Sequence, residues 1–360
     1  MNNFFIVGNL RTGTTLITEL LSEFKGITLL NQPFTQLFYG VKEQFHQTIN
    51  YNGPQLLFNN YVNETAYTPE DFTSYLNQTH FTSEELIQWF SNHNRGQLSP
   101  FSLDIIHKYN IQGTLEEIIS SLITHINSND KVITQGFKQV LCEEFTPYFI
   151  KKGFKVIHIL RDPRDMICSA RSGNGLNYTG KKLPLLYELH NWRKSVSFAL
   201  VYENNPNVVV VKFEDLLLEP VKALSRILNV LDNEVDIKNI QTYLDLFKIQ
   251  ANSSFNPFKG LSTEPLGRYK THLSQQEIEY IEAICYWEMA LLSYEIKQKP
   301  NLHAIESFNE DGIMGFDKLQ DYNFRSINLN LEIQRLEQPT SKAFFSNEIF
   351  NKCMKKFDYS

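Results

Sequence analysis

The stretch FFIVGNLRTGTTLITELL, residues 4–21, decides the fold. Phe4 to Val7 is short, apolar and partly β-branched, as in a strand buried on both faces of a parallel sheet. Leu16, Ile17, Leu20, Leu21 and Phe24 recur at the spacing of one helix face. Between strand and helix lies Gly8-Asn-Leu-Arg-Thr-Gly13-Thr-Thr15, two glycines five residues apart. Such a backbone wraps an anion and aims several N–H groups at it from the helix N-terminus. The stretch therefore reads as a phosphate-binding loop, the plainer alternative being a glycine-rich connection. The nucleoside-triphosphatase pattern requires lysine after the second glycine, where this chain has Thr14, so the clamp on the β- and γ-phosphates is missing. Arg11 places a cation inside the loop instead, which suits a ligand whose reactive anion lies over the loop's middle.

The surrounding chain has 360 residues, enough for a large α/β core, with 42% apolar and 21% charged residues, an ordinary globular balance. A net charge of −6 argues against broad binding to nucleic acid or an anionic membrane, while leaving room for a local basic pocket. Cys142, Cys168, Cys285 and Cys353 are far apart, with neither a C-x-x-C pair nor histidines at zinc spacing, and read as reduced thiols. The first strand starts at Phe4 and no run of 18 apolar residues occurs, so the expectation is a cytoplasmic protein with no membrane span.

Further strands are expected at Ile27–Leu30, Lys131–Thr134, Lys155–Leu160 and Val208–Phe213, with helices near 140–151, 163–171 and 186–203 between them. Residues 34–130 form a mostly helical excursion, expected to cover the mouth of the site. Ser274-Gln-Gln-Glu277 is a capping box opening a helix that carries Ile278, Ile281, Cys285, Met289 and Leu292. Residues 1–300 thus read as one α/β domain, and 301–360 as a C-terminal extension packed back on it.

A second informative stretch is His158-Ile-Leu-Arg161-Asp-Pro-Arg-Asp165-Met-Ile-Cys-Ser169. A strand delivers Arg161 at its carboxyl end, and a helix places Ser169 eight residues later, so that both side chains could grip one phosphate. An ion pair of Arg161 with Asp165 pinning the helix start is the plainer alternative. Together with the first loop, this stretch resembles the sulfotransferases that use 3′-phosphoadenosine-5′-phosphosulfate (PAPS). In that family an Arg/Lys-Ser/Thr-Gly-Thr-Thr loop holds the 5′-phosphosulfate and an R-x(7)-S element holds the 3′-phosphate. Arg11-Thr12-Gly13-Thr14-Thr15 and Arg161 with Ser169 match residue for residue. Lys138 lies 23 residues before Arg161, where the family often places a lysine near the transferring sulfonate; its plainer alternative is a solvated strand end. Lys212-Phe-Glu-Asp-Leu216 looks like the family's strand-ending element. Lys259-Gly260 and Gly267-Arg268-Tyr-Lys270 resemble its C-terminal phosphate-closing segment, although the latter could be an ordinary loop before a capped helix.

The resemblance implies a three-layer α/β/α fold around a central parallel sheet, with a helical insertion and a C-terminal extension. It implies in-line transfer of a sulfuryl group from PAPS to a hydroxyl or amine of a small-molecule, carbohydrate, lipid or peptide acceptor, without a metal. Arg11 would stabilise the leaving phosphate and Lys138 the sulfonate. One departure stands out. The family's arginine-loop branch often carries a glutamate base where this chain has Gln32, and the branch that uses histidine places it where this chain has Val140. His46, Asp104, His107 and Glu143 are the replacement candidates, none of them singled out. Two other readings stay open: a P-loop kinase or nucleotidase, and a 3′-phosphoadenosine nucleotide-binding protein without catalysis, for which Gln32 speaks.

Overall fold

The computed structural model describes residues 2–50, 67–91, 100–126, 134–172, 184–232, 237–248, 255, 260–296, 302–308, 329–341, 344 and 346–356. Strand β1 (Asn2–Gly8) is followed by helix α1 (Thr14–Ser22) and strand β2 (Ile27–Asn31). Five helices occupy the excursion: α2 (Thr35–Thr48), α3 (Pro69–Gln78), α4 (Ser83–Phe90), α5 (Pro100–Tyr109) and α6 (Leu115–Ile126). The α/β alternation resumes with β3 (Thr134–Val140), α7 (Thr146–Lys151), β4 (Lys155–Leu160), α8 (Pro163–Arg171), α9 (Leu185–Tyr202) and β5 (Val208–Lys212). Then come α10 (Phe213–Leu218), α11 (Pro220–Val230), α12 (Ile237–Leu246), a turn of helix at Tyr269–His272, α13 (Gln275–Ile284) and α14 (Tyr286–Leu291). Beyond residue 300 the described helices are His303–Glu306, α15 (Leu329–Glu337) and α16 (Asn347–Lys356).

The five strands are parallel in the order β2-β3-β1-β4-β5. β1 is flanked on both edges and covered on both faces, so Phe4, Phe5, Ile6 and Val7 are all fully buried. Phe4 and Ile6 face the α1 layer, while Phe5 and Val7 face the aromatic cluster of α2, α7 and the excursion. From β1 the chain runs through α1 on one face towards β2; from the neighbouring β4 it runs through α8 on the other face towards β5. The loops after β1 and β4 therefore part at the carboxyl ends of adjacent strands, the crevice where open parallel sheets bind ligands.

Two expected elements differ. Residues 131–133 lie outside the described residues, and the strand runs on from Thr134 to Val140, which delays the next helix to Thr146. Thr-Gln-Gly-Phe-Lys-Gln-Val shows no apolar alternation, yet it is a buried inner strand, and Gly136 leaves room for the ring of Phe4. The helix opened by Ser274 keeps its capping box but stops at Ile284, and α14 starts anew after Cys285. The described parts of the extension pack on the domain. Leu336, Phe344, Ile349 and Cys353 join the cluster of α9, α13 and α14, and Arg335 with Glu332 meets Arg193, His190 and Glu288 in a buried ionic group.

Candidate active site

The loop after β1 is shaped by its own backbone. The Thr12 hydroxyl donates to the Asn9 carbonyl at 2.7 Å, and the Asn9 side chain accepts from the Leu10 N–H at 2.7 Å. Thr12 is thereby spent on the loop, and it is not among the residues that line the cavity described below. Gly13 caps α1 with φ 91°, a left-handed conformation, and a Cβ there would lie 2.2 Å from the ring of Phe213. Glycine is required on both counts. No side chain caps α1, so the N–H groups of its first turn face outward with their partial positive charge.

That turn opens into a cavity of about 110 Å³, lined by Arg11, Gly13, Thr14 and Thr15 from the loop and by Arg161 and Ser169 from the second element. Arg11 Nε donates to Ser169 Oγ at 3.1 Å, so two motifs 158 residues apart meet directly. Arg161 is 6% exposed and donates to the Arg11 carbonyl and the Pro265 carbonyl, both at 3.0 Å, while its guanidinium lies 4.5 Å above the ring of Phe213. Its Nε, fully buried, has no hydrogen-bond partner among the described residues. Burial pushes the pKa of Arg161 down, against the pull of Asp165 and Glu214.

The plainer alternative, an ion pair of Arg161 with Asp165, is not among the salt bridges of the described residues, and Asp165 bonds elsewhere. Asp165 accepts the backbone N–H groups of Gly267 at 2.6 Å and Tyr269 at 3.1 Å, tying the closing segment to α8. Asp162 caps α8 and pairs with Arg164 at 2.6 Å. Gly260 and Arg268 line the cavity, with the Arg268 guanidinium 4.5 Å above the Phe255 ring and bonded to Glu264 at 2.7 Å. Lys259 lies outside the described residues. Leu16, Phe213, Leu217 and Phe255 give the cavity apolar walls, and Glu19 of α1 completes it.

Lys138 and Gln32 stand beside one another at the ends of β3 and β2. The Gln32 N–H donates to the Lys138 carbonyl at 2.8 Å. Lys138 is 1% exposed, which removes the solvated alternative, and its ammonium makes no hydrogen bond among the described residues. Burial pushes its pKa down to about 8, against the pull of Glu19. Arg11, Gln32 and Leu141, at the carboxyl ends of β1, β2 and β3, all have positive φ, of 62°, 51° and 57°. Strained backbone of this kind gathers at functional sites.

None of the four replacement bases lines the cavity. Glu143 is fully buried against Lys194 at 3.1 Å, in a group where Glu144 meets both Lys194 and Lys42. Lys42 also donates to the Leu141 carbonyl at 2.8 Å, so the group fastens α2 to the end of β3. His46 stands in the same buried surroundings, and desolvation, reinforced by Lys42, lowers its pKa to about 4. Asp104 and His107 are exposed on α5. The sequence reading missed Glu19, Phe213 and Phe255. For Glu19 a signal existed: it lies four residues after Thr15, one turn further along the loop helix.

A parallel sheet with a cavity lined by arginines at its switch point defines the class as α/β, and comparison with known proteins narrows this to one family. The sulfotransferase domain matches residues 2–293, and the chain belongs to that family. Carbohydrate sulfotransferase 2 of Mus musculus and of Homo sapiens are each 33% identical over 95 residues, 26% of this chain. The matched part spans 18% of the length of those relatives. Among solved structures, the sulfotransferase domain from the curacin biosynthetic pathway aligns over 82% of this chain and 99% of its own, with 15% identity and a TM-score of 0.46. Among the described residues no helix is long and apolar enough to cross a membrane, and no group of three or more His, Cys, Asp or Glu is placed to hold a metal.

Proposed function

We propose that the protein moves a sulfuryl group from PAPS to a hydroxyl or amine acceptor. The observation that carries this reading is a cavity in which buried Arg161 meets the Arg11–Ser169 pair and the uncapped start of α1. Guanidinium donors gathered at a helix N-terminus suit an anion. In this reading the first-turn amides, the hydroxyls of Thr14 and Thr15, and Arg11 hold the 5′-phosphate. Arg161, Ser169 and Arg268 hold the 3′-phosphate, with Lys259 and Gly260 closing over it. The apolar walls Leu16, Phe213, Leu217 and Phe255 take the purine.

Transfer needs an acceptor atom in line with the breaking S–O bond and charge stabilisation on the leaving phosphate, so position and electrostatics dominate. Arg11 supplies the second, and Lys138 stabilises the sulfonate from the end of β3. The reading assigns no metal, because guanidinium groups and a helix N-terminus provide the positive charge. Gln32 orients the acceptor through its amide. A carbohydrate acceptor is favoured by the likeness to carbohydrate sulfotransferase 2 over 95 residues, with small molecules, lipids and peptides as the alternatives. Four free, buried cysteines support a cytoplasmic setting.

Ligand choice tests the reading. The product nucleotide 3′-phosphoadenosine-5′-phosphate (PAP) should raise the melting temperature without metal, by a stabilisation of roughly 2.7 kcal/mol at 100-fold over its dissociation constant. ATP with Mg²⁺ should do much less, and equal shifts overturn the 3′-phosphate site. Gln32, neutral where related enzymes carry a carboxylate, favours a second reading as a binding protein without turnover. Labelled transfer from PAPS into a host extract separates the two, and activity gained only in Gln32→Glu supports the second.

A further inference from the structure

Sulfuryl transfer releases a proton from the acceptor, and Gln32 and Val140 occupy the places where a base was expected. We propose that Glu19 takes that proton. The inference rests on the sulfotransferase reading and assigns it the missing group.

Glu19 lies four residues beyond Thr15, about 6 Å further along the axis of α1, on the helix face that looks into the cavity. Side chains on a helix lean towards its N-terminus, which carries the Glu19 carboxylate back over Thr15 and the loop. Two carboxylates line the cavity, Glu19 and Asp165. Asp165 is occupied by the N–H groups of Gly267 and Tyr269. Glu19 makes no hydrogen bond among the described residues, so its oxygens are not committed to holding the fold.

The charged group acting on Glu19 is Lys138 of β3; the other charged residues that line the same cavity are Arg11 of the loop, Arg161 after β4, Asp165 of α8 and Arg268 of the closing segment. Burial raises its pKa and Lys138 opposes the rise. A carboxylate in that position accepts a proton more readily than one in water, as a base near neutral pH must. The step balances. The acceptor oxygen forms its bond to sulfur while its proton passes to Glu19, and the bridging S–O bond breaks with its electron pair going to the 5′-phosphate. Glu19, half-buried, returns the proton to solvent.

The test uses the full chain, sulfur-labelled PAPS and a host extract, comparing native protein with Glu19→Gln. The substitution keeps shape and removes the lone basic function, so turnover should fall on the order of 10²–10⁴-fold. The acid limb of the pH profile should vanish with it, and PAP affinity should stay within a few-fold. Native turnover and an intact acid limb in Glu19→Gln overturn the proposal. So does a variant in which only the alkaline limb moves, because Glu19 would then serve merely as counter-charge to Lys138. A second measurement needs no acceptor. PAP adds negative charge beside Glu19, so calorimetry in buffers of different ionisation enthalpy should show more proton uptake for native protein than for Glu19→Gln, and equal uptake overturns the assignment. Failure of PAP to bind native protein refutes the sulfotransferase reading itself, whereas failure of these comparisons with PAP bound refutes Glu19 alone.

Discussion

Replacing Arg161 separates two roles that the structure gives to one side chain. The guanidinium holds the nucleotide loop through the Arg11 carbonyl and the closing segment through the Pro265 carbonyl. The same side chain borders the cavity and is assigned to the ligand. Arg161→Met keeps the bulk against Phe213 but deletes both bonds. Hydrogen bonds from a charged donor contribute roughly 1.5–3 kcal/mol each, so the fold should lose about 3–6 kcal/mol, read as a shift of the urea midpoint. Arg161→Lys keeps the charge but cannot reach two carbonyls and a phosphate from one point, and should lose about half as much.

Nucleotide affinity gives the second, independent number. One charge-assisted contact to a phosphate, at roughly 1.5–3 kcal/mol, corresponds to a loss of about tenfold to 150-fold in PAP affinity on top of any change in stability. Titration calorimetry well below the melting temperature of each variant measures it. If Arg161→Met is destabilised as expected but binds PAP within threefold of the native protein, Arg161 is a staple between two loops and the 3′-phosphate lies elsewhere. That outcome would falsify the role carried over from the R-x(7)-S element.

Other substitutions probe separate parts of the site. Arg11→Ala should lower kcat by about 10²–10³-fold with a smaller change in PAP affinity, since its charge matters most as the leaving phosphate develops; a pure affinity loss refutes this. With burial setting the pKa of Lys138 at about 8, its charge is present below that pH and lost above it, so kcat/KM should fall as pH rises through about 8. A bound sulfonate holds the proton on, so the same limb in kcat should lie higher, and Lys138→Met should abolish both. Gly13→Ala places a methyl against Phe213 in a left-handed conformation and should cost on the order of 1–3 kcal/mol, together with PAP binding. Lys42→Met leaves Glu144 buried with one partner fewer and should destabilise the fold by about 3–5 kcal/mol, measured by urea unfolding, while Arg268→Met at the cavity rim should leave stability nearly unchanged.

What the sequence made legible follows from where apolar periodicity coincides with function. β1, β4 and α8 were readable because their buried residues are apolar and their ends carry glycine, aspartate or proline with a definite backbone task. β3 was only partly readable. Its polar side chains are buried by pairing with other polar groups, Gln135 with Asn3 at 3.1 Å and Gln139 with Thr35 at 2.9 Å, partners 132 and 104 residues away. No local pattern encodes such partners. The same limit governs the charged residues. Glu143 and Glu19 are both glutamates near a site motif, and composition treats them alike. Tertiary structure pairs the first with Lys194, beside a Glu144 held by both Lys194 and Lys42, as part of the scaffold, and leaves the second at the cavity edge with the charge of Lys138 acting on it. A carboxylate paired within the scaffold has no acceptor before it, whereas one lifted by burial at the cavity retains its basicity where a proton is released. Which glutamate does chemistry is thus set by the lysines placed on α2 and α9, far from the loop that first identified the site.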